Sequence, residues 1–244
     1  MPVRKRSPKA EAVKEAVSES PKFSCSFCSR SFRYEAHLVG HSCRDKERFF
    51  EKDEKYAKLA FRVFQRFHEI SYKSTKQQTW EQFSKSRHYT CFINFGKYLT
   101  DVNAVNPQTF VDFLIKKMVP IDRWTSPVVY ETYLRDLNKR ESADAAMERN
   151  FLLMQQWAVE NGEVWTDFFR KVPPALAVLW IRSGRVSPWV LYTAPSAQEL
   201  LARLSNEQVA LIEPALDPVF WQAKLGRHAA DVEFISETLA DAGL

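Results

Sequence analysis

Glycine is scarce: six residues in 244, too few for a fold built on tight strand-to-strand turns. No run approaches the roughly 18 to 20 apolar residues that a membrane-spanning helix needs. The opening MPVRKRSPKAEAVKEAVSES is basic and then mixed in charge, with no apolar stretch behind it, so it reads as a tail and not a secretory signal. Phosphate-cradling loops of the G-x-G-x-x-G or G-x4-G-K-[ST] type are missing, and so is the G-x-S-x-G elbow of serine hydrolases. His68-Glu69 begins like a zinc-protease helix, but Tyr72 stands where its second histidine belongs. His88 and His228 have no cysteine or carboxylate pattern beside them, and Asp122, Asp167 and Glu213 are scattered. The expectation is a soluble, intracellular, cytoplasmic protein with no membrane contact and no enzymatic activity.

Cysteine is scarce too, and it is unevenly placed. Three of the four cysteines, with two of the five histidines, fall in FSCSFCSRSFRYEAHLVGHSC, residues 23–43. Such crowding suits a metal better than disulfides. Cys91 sits alone in an apolar helical stretch.

The net charge of +5 hides an asymmetry. Residues 1–100 carry 21 Lys+Arg against 11 Asp+Glu, a net +10, whereas residues 101–244 carry 14 against 19, a net −5. This polarity directs an anionic partner to the N-terminal part, where the cysteines lie.

Cys25-x2-Cys28 places two thiolates on one tight knuckle, and twelve residues separate Cys28 from His41. Both spacings fit a ββα finger closed by Zn2+. Phe23, Phe32 and Leu38 fall in register for its miniature core. A module this small cannot fold on apolar burial alone, so metal binding, worth on the order of 10 kcal/mol, has to supply the difference. Over residues 22–44 the chain resembles the C2H2 zinc-finger family. It departs at the fourth ligand, because Asp45, Lys46 and Glu47 stand where the second histidine would be. The expected set is Cys25, Cys28, His41 and Cys43. His37, one helical turn before His41, is the alternative ligand, and Asp45 is a third choice. Residues 41 and 43 lie on nearly opposite sides of a regular helix, so the use of Cys43 requires the helix to end near Gly40.

Base readout by this finger is not expected. Tyr34, His37 and Gly40 occupy the reading positions, and one finger buries too little surface for tight specific binding. Arg4, Lys5, Arg6, Lys22, Arg30, Arg33, Arg44, Lys46 and Arg48 form a basic series suited to non-specific contact with a nucleic-acid backbone, DNA being the expected partner.

Beyond the finger the periodicity is helical. Phe49, Phe50, Tyr56, Leu59, Ala60, Val63, Phe64, Phe67 and Ile70 predict one long helix over 45–72. Asn106-Pro107, Ser126-Pro127, Ser187-Pro188 and Asp217-Pro218 each place a capping residue before a first-turn proline. Helices are expected at 79–100, 107–118, 127–138, 142–160, 164–171, 174–183, 187–194, 196–204, 206–213, 218–225 and 229–242. The seven tryptophans are spread through these segments as core anchors. The aromatic-basic stretch 92–98 is the closest approach to a base-stacking platform. The fold class is all-α: a multi-helix bundle behind a small N-terminal ββα zinc-finger unit. Its organisation is a basic tail (1–21), the finger (22–44), a connecting helix (45–78) and a helical domain (79–244).

With residues 23–48 and the string IRSGRVSPWVLY in view, the chain resembles uncharacterised zinc-finger proteins of large T4-like tailed bacteriophages. That resemblance implies the host cytoplasm or the virion as location. Two functions follow as expectations. One is a nucleic-acid-associated accessory protein whose helical domain docks a protein partner. The other is a virion assembly protein that uses the finger as a docking knob.

Overall fold

The computed structural model describes residues 23–73 and 75–244. The tail expected over 1–21, with Arg4, Lys5 and Arg6, lies outside them, as does Lys22. The fold is all-α with a small two-stranded element at its start, and the chain forms two compact units that meet in sequence between Glu51 and Lys52.

In the first unit Phe23 pairs with Phe32, and Ser24 with Ser31, across an antiparallel hairpin of β1 (Phe23–Ser24) and β2 (Ser31–Phe32). A short helix α1 (Glu35–Val39) stops at Gly40, and α2 (Arg44–Glu51) follows. Phe23, Phe32 and Leu38 are only partly buried. Among residues 23–51, Cys25 alone is buried, at 4% exposure.

The single helix expected over 45–72 is two. After α2 the backbone is extended at Glu54, with ψ 142°, and α3 (Lys55–Tyr72) begins behind it. Lys52, Asp53 and Glu54 have no apolar side chain to offer, and the apolar residues on either side pack within different units. Phe49 and Phe50 pack on Phe27 with ring centroids 5.1 and 6.0 Å away. Ala57, Ala60, Val63 and Phe64 are buried in the second unit.

That second unit has two hydrophobic clusters. The first is built by α3, α4 (Trp80–Lys85), α5 (Tyr89–Asp101), α6 (Pro107–Lys116) and α7 (Pro127–Arg140), around Phe92, Phe95, Phe110, Trp124 and Tyr133. The second comprises α8 (Ala143–Asn161), α9 (Phe168–Lys171), α10 (Pro174–Arg182), α11 (Pro188–Thr193), α12 (Pro195–Ala202), α13 (Asn206–Leu216), α14 (Pro218–Arg227) and α15 (Ala229–Asp241). Trp157, Phe168, Trp189 and Trp221 lie at its centre. Five of the seven tryptophans are thus buried, with Trp80 and Trp165 packed at the edges. The rings of the 92–98 stretch belong to the core as well: Phe92 and Phe95 are at most 1% exposed, which removes them as a stacking surface.

Two expected helices are subdivided. Residues 79–100 form α4 and α5, because the Ser86 hydroxyl accepts the His88 N–H at 3.1 Å and a new helix starts there. Residues 164–171 begin as a single 3-10 turn, Trp165–Asp167, before α9. Pro107, Pro127, Pro188 and Pro218 do open helices. Only Ser187 and Asp217 act as side-chain caps, accepting the N–H groups of Trp189 and Phe220. Asn106 and Ser126 make no such bond, and Asn106 instead turns the chain through a left-handed φ of 46°.

Polar bridges join the two clusters. The Tyr130 hydroxyl donates to the Ser183 carbonyl at 2.7 Å and accepts from Val105 N–H at 3.0 Å. Glu141, directly after α7, accepts Arg149 Nη2 on both carboxylate oxygens at 2.5 and 2.6 Å, Arg149 Nε at 3.0 Å, and a bond from the Ser187 hydroxyl at 3.2 Å. Lys224, 4% exposed, donates to the Asn138 and Glu141 carbonyls, and its ammonium lies 5.0 and 5.2 Å from the rings of Trp189 and Trp221. A buried carboxylate and guanidinium in this arrangement contribute registration more than net stability, but loss of one partner strands the other charge.

Gly96 lets α5 lie against α3. A Cβ there would sit 2.3 Å from the Tyr56 carbonyl and 2.9 Å from the Ala60 Cβ. Gly96→Ala should therefore lower stability by about 1–3 kcal/mol in denaturant titration. Gly226→Ala, with open space around it, should leave stability unchanged or raise it by a few tenths of a kcal/mol. Glu141→Ala should cost about 3 kcal/mol or more, because Arg149 would keep its charge in a half-enclosed site without its partner. A loss below about 1 kcal/mol would mean that the pair is not coupled to the fold.

Candidate metal centre

The knuckle between β1 and β2 is set by backbone hydrogen bonds. Cys25 N–H donates to the Arg30 carbonyl at 2.8 Å, and Ser29 N–H donates to the Cys25 carbonyl at 2.9 Å. Ser29 takes a left-handed φ of 59°, which turns the chain tightly enough for Cys25 and Cys28 to share a side. Hydrogen bonds from the backbone N–H groups of Cys28 and Phe27 hold the Cys25 thiol below its ordinary range. The Arg30 N–H acts the same way on Cys28, but desolvation and the neighbouring thiols outweigh it and push Cys28 up. Three thiols forced together resist joint ionisation unless a cation neutralises them.

His41 and Cys43 arrive from the other side. α1 ends at Gly40, and residues 41–43 are not helical, so two side chains that a helix would splay apart reach one point. Gly40 itself is in the ordinary right-handed region (φ −75°, ψ −5°), so the stop does not depend on glycine's access to left-handed backbone. The Cys43 carbonyl accepts Glu47 N–H at 3.0 Å, which places Cys43 at the positive end of the α2 dipole. Ser42 Oγ donates to Glu47 at 2.8 Å, and Lys46 Nζ reaches the His41 carbonyl at 3.4 Å. The first turn of α2 thus clamps the ligand segment. On its other side His41 leans on Phe32, with ring centroids 4.9 Å apart.

The ligand atoms of Cys25, Cys28, His41 and Cys43 all lie within 4.8 Å of one another. Cys25 Sγ and Cys43 Sγ are 4.0 Å apart, and Cys28 Sγ is 3.2 Å from His41 Nε2. Sulfurs at ~2.3 Å and an imidazole nitrogen at ~2.0 Å from a tetrahedral ion would stand ~3.5–3.8 Å from one another. The observed spacings bracket that value. They are far too long for a disulfide, whose sulfurs approach to about 2.05 Å, and all four cysteines are free. The group could therefore hold a metal ion.

His37 is not part of it. The side chain is exposed on α1, edge-on to Tyr34 at 5.5 Å. Asp45 is exposed in the first turn of α2. Of the basic series, Arg30, Arg33 and Arg44 are exposed, whereas Lys46 and Arg48 are partly buried. Arg30 and Arg33 lie over the rings of Phe32 and Tyr34, each at 5.6 Å. Phe27, Phe49 and Phe50 form an aromatic patch that the helical periodicity of 45–72 did not predict, with Phe49 and Phe50 44% and 63% exposed. The adjacent Phe49-Phe50 pair was its only signal. No protein family, no curated protein and no solved structure matches the chain.

Elemental analysis of the purified protein should find one bound metal ion per chain, lost in Cys28→Ser and Cys43→Ala and retained in Cys91→Ser and His37→Ala. Metal retained by Cys43→Ala and lost by His37→Ala would overturn the ligand set. A chelator should unfold the first unit, detected as loss of structure around residues 23–51 by hydrogen exchange, and leave the helical circular dichroism of the second unit largely intact.

Proposed function

We propose that the four-ligand centre holds Zn2+ and that the protein is a nucleic-acid-associated accessory protein. Three thiolates and an imidazole are the donor set that tetrahedral zinc favours. With four protein ligands the ion has no open position for a substrate water, so its role is structural, and no enzymatic activity is part of the proposal. The observation that carries the reading is the Cys25, Cys28, His41 and Cys43 cluster in a unit with no apolar interior, with Arg30, Arg33 and Arg44 exposed around it. Together with Lys46 and Arg48, and with Arg4, Lys5, Arg6 and Lys22 in the basic leading segment, these side chains would meet the DNA backbone without sequence preference. The helical unit is the part proposed to dock a protein partner.

A second reading, a docking knob in virion assembly, is favoured by the exposed Phe49 and Phe50 beside Phe27. A phage origin, with the host cytoplasm or the virion as location, rests on the sequence resemblance alone. Among the described residues no helix is long and apolar enough to cross a membrane.

Binding to random-sequence duplex DNA should weaken steeply between about 50 and 200 mM salt, with a log–log slope set by the number of phosphates contacted. Replacing Arg30, Arg33 and Arg44 with Glu should remove most of that binding while metal content stays unchanged. An affinity that is flat across this salt range would eliminate the nucleic-acid reading. Stoichiometric recovery of the protein in purified particles would support the second.

A further inference from the structure

Within the second unit, α3 and α8 form the walls of a groove of about 590 Å³. Lys55, Leu59 and Arg62 face it from α3 at the i, i+4, i+7 spacing of one helical stripe, and Ala145, Glu148, Leu152 and Gln156 face it from α8 in the same manner. The turn after α5 and the start of α6 line the remainder, with Arg185 contributed by the loop after α10. The volume lies in the range of small-molecule sites.

The charges in this groove are unbalanced in a way that the rest of α3 is not. Arg66, one turn beyond Arg62, is held by both oxygens of Asp112 at 2.7 Å and by Glu69 at 2.9 Å, and Lys58 has Asp53 at 4.0 Å. Lys55 and Arg62 have no hydrogen bond or ion pair among the described residues. Arg185 is half-buried, and its side chain makes one hydrogen bond, to the Asn103 side chain at 2.8 Å, leaving most of its N–H groups available. Arg149, also in the lining, is neutralised by Glu141. Glu148 is the one carboxylate of the lining, and Glu160 reaches Arg185 electrostatically from farther along α8. Cations therefore exceed carboxylates here, with Lys55, Arg62, Arg149 and Arg185 in the lining against Glu148 alone. The start of α6 adds an N-terminus that Asn106 does not cap with its side chain. Leu59 and the 61%-exposed Leu152 give the same groove an apolar side.

We infer that this groove binds a nucleotide-sized, phosphate-bearing ligand, with Arg62, Arg185 and Lys55 holding the phosphate and Leu59 and Leu152 lying against the less polar part. Guanidinium groups bind phosphate oxygens through paired hydrogen bonds, and desolvation of Arg185 strengthens the attraction. Burial already lowers the pKa of Arg185, a cost that an arriving anion would offset. The ligand could be a free nucleotide or a segment of nucleic-acid backbone; the phosphate chemistry is common to both. The site does not depend on the metal centre or on the DNA contact proposed for it.

Titration calorimetry on the full chain, with ATP in one arm and a short single-stranded DNA oligonucleotide in the other, tests this. Arg62→Gln, an exposed substitution that breaks no internal bond, should weaken binding about tenfold, and Arg185→Gln by at least as much. Tighter ATP binding would assign the free nucleotide, and tighter oligonucleotide binding the backbone; either supports the site. Undetectable binding of both probes overturns it, as does full affinity in both groove variants. Cys28→Ser separates the two assignments: loss in that variant alone leaves the finger reading standing and removes the groove. Loss in Arg62→Gln alone supports the groove and counts against the finger.

Discussion

Four ligand atoms must converge in the first unit because it has almost no interior to hold it together. One buried residue among the 29 described, and that residue a candidate ligand, leaves the partly covered Phe23, Phe27, Phe32 and Leu38 to resist the conformational entropy of the chain. Convergence of Cys25, Cys28, His41 and Cys43 then has two consequences. The neighbouring thiols resist joint ionisation, a cost that a bound cation would relieve. The bound ion, in turn, would fix the hairpin, the end of α1 and the start of α2 at one point.

This constraint explains local features that would otherwise look incidental. Ser29 accepts a left-handed backbone because the knuckle needs it. α1 ends after five residues because a longer helix would carry His41 and Cys43 to opposite sides. Ser42, Lys46 and Glu47 bind the same short segment from behind, so the N-terminal turn of α2 acts as a brace. Arg30 and Arg33 stand outside this frame, exposed and over the rings of Phe32 and Tyr34.

The second unit solves the same problem by the ordinary route, with 20 buried apolar side chains in its first cluster and 26 in its second. Its distinguishing elements are polar. Tyr130, Glu141, Arg149, Ser187 and Lys224 tie the two clusters together, and each is compensated by named partners. Lys55, Arg62 and Arg185 are not compensated in that way. The contrast separates charge that serves the fold from charge that is left over for something else.

The sequence by itself determined the class of structure and the identity of the candidate ligands. Thiol and imidazole spacing limits which atoms can meet on a short chain, and the scarcity of glycine with 3.6-residue periodicity leaves little besides helices. The proline-marked starts were legible for the same reason, since proline constrains backbone locally. What the tertiary structure alone decided was where helices break and which charges face one another. The interruption at 52–54 follows from Phe50 and Ala57 belonging to different units, although the periodicity runs through both. The Glu141–Arg149 pair across the turn from α7 to α8 and the groove shared by Arg62 and Arg185 likewise arise from how the helices pack. Residue spacing cannot encode such pairings, because they depend on which faces are already buried.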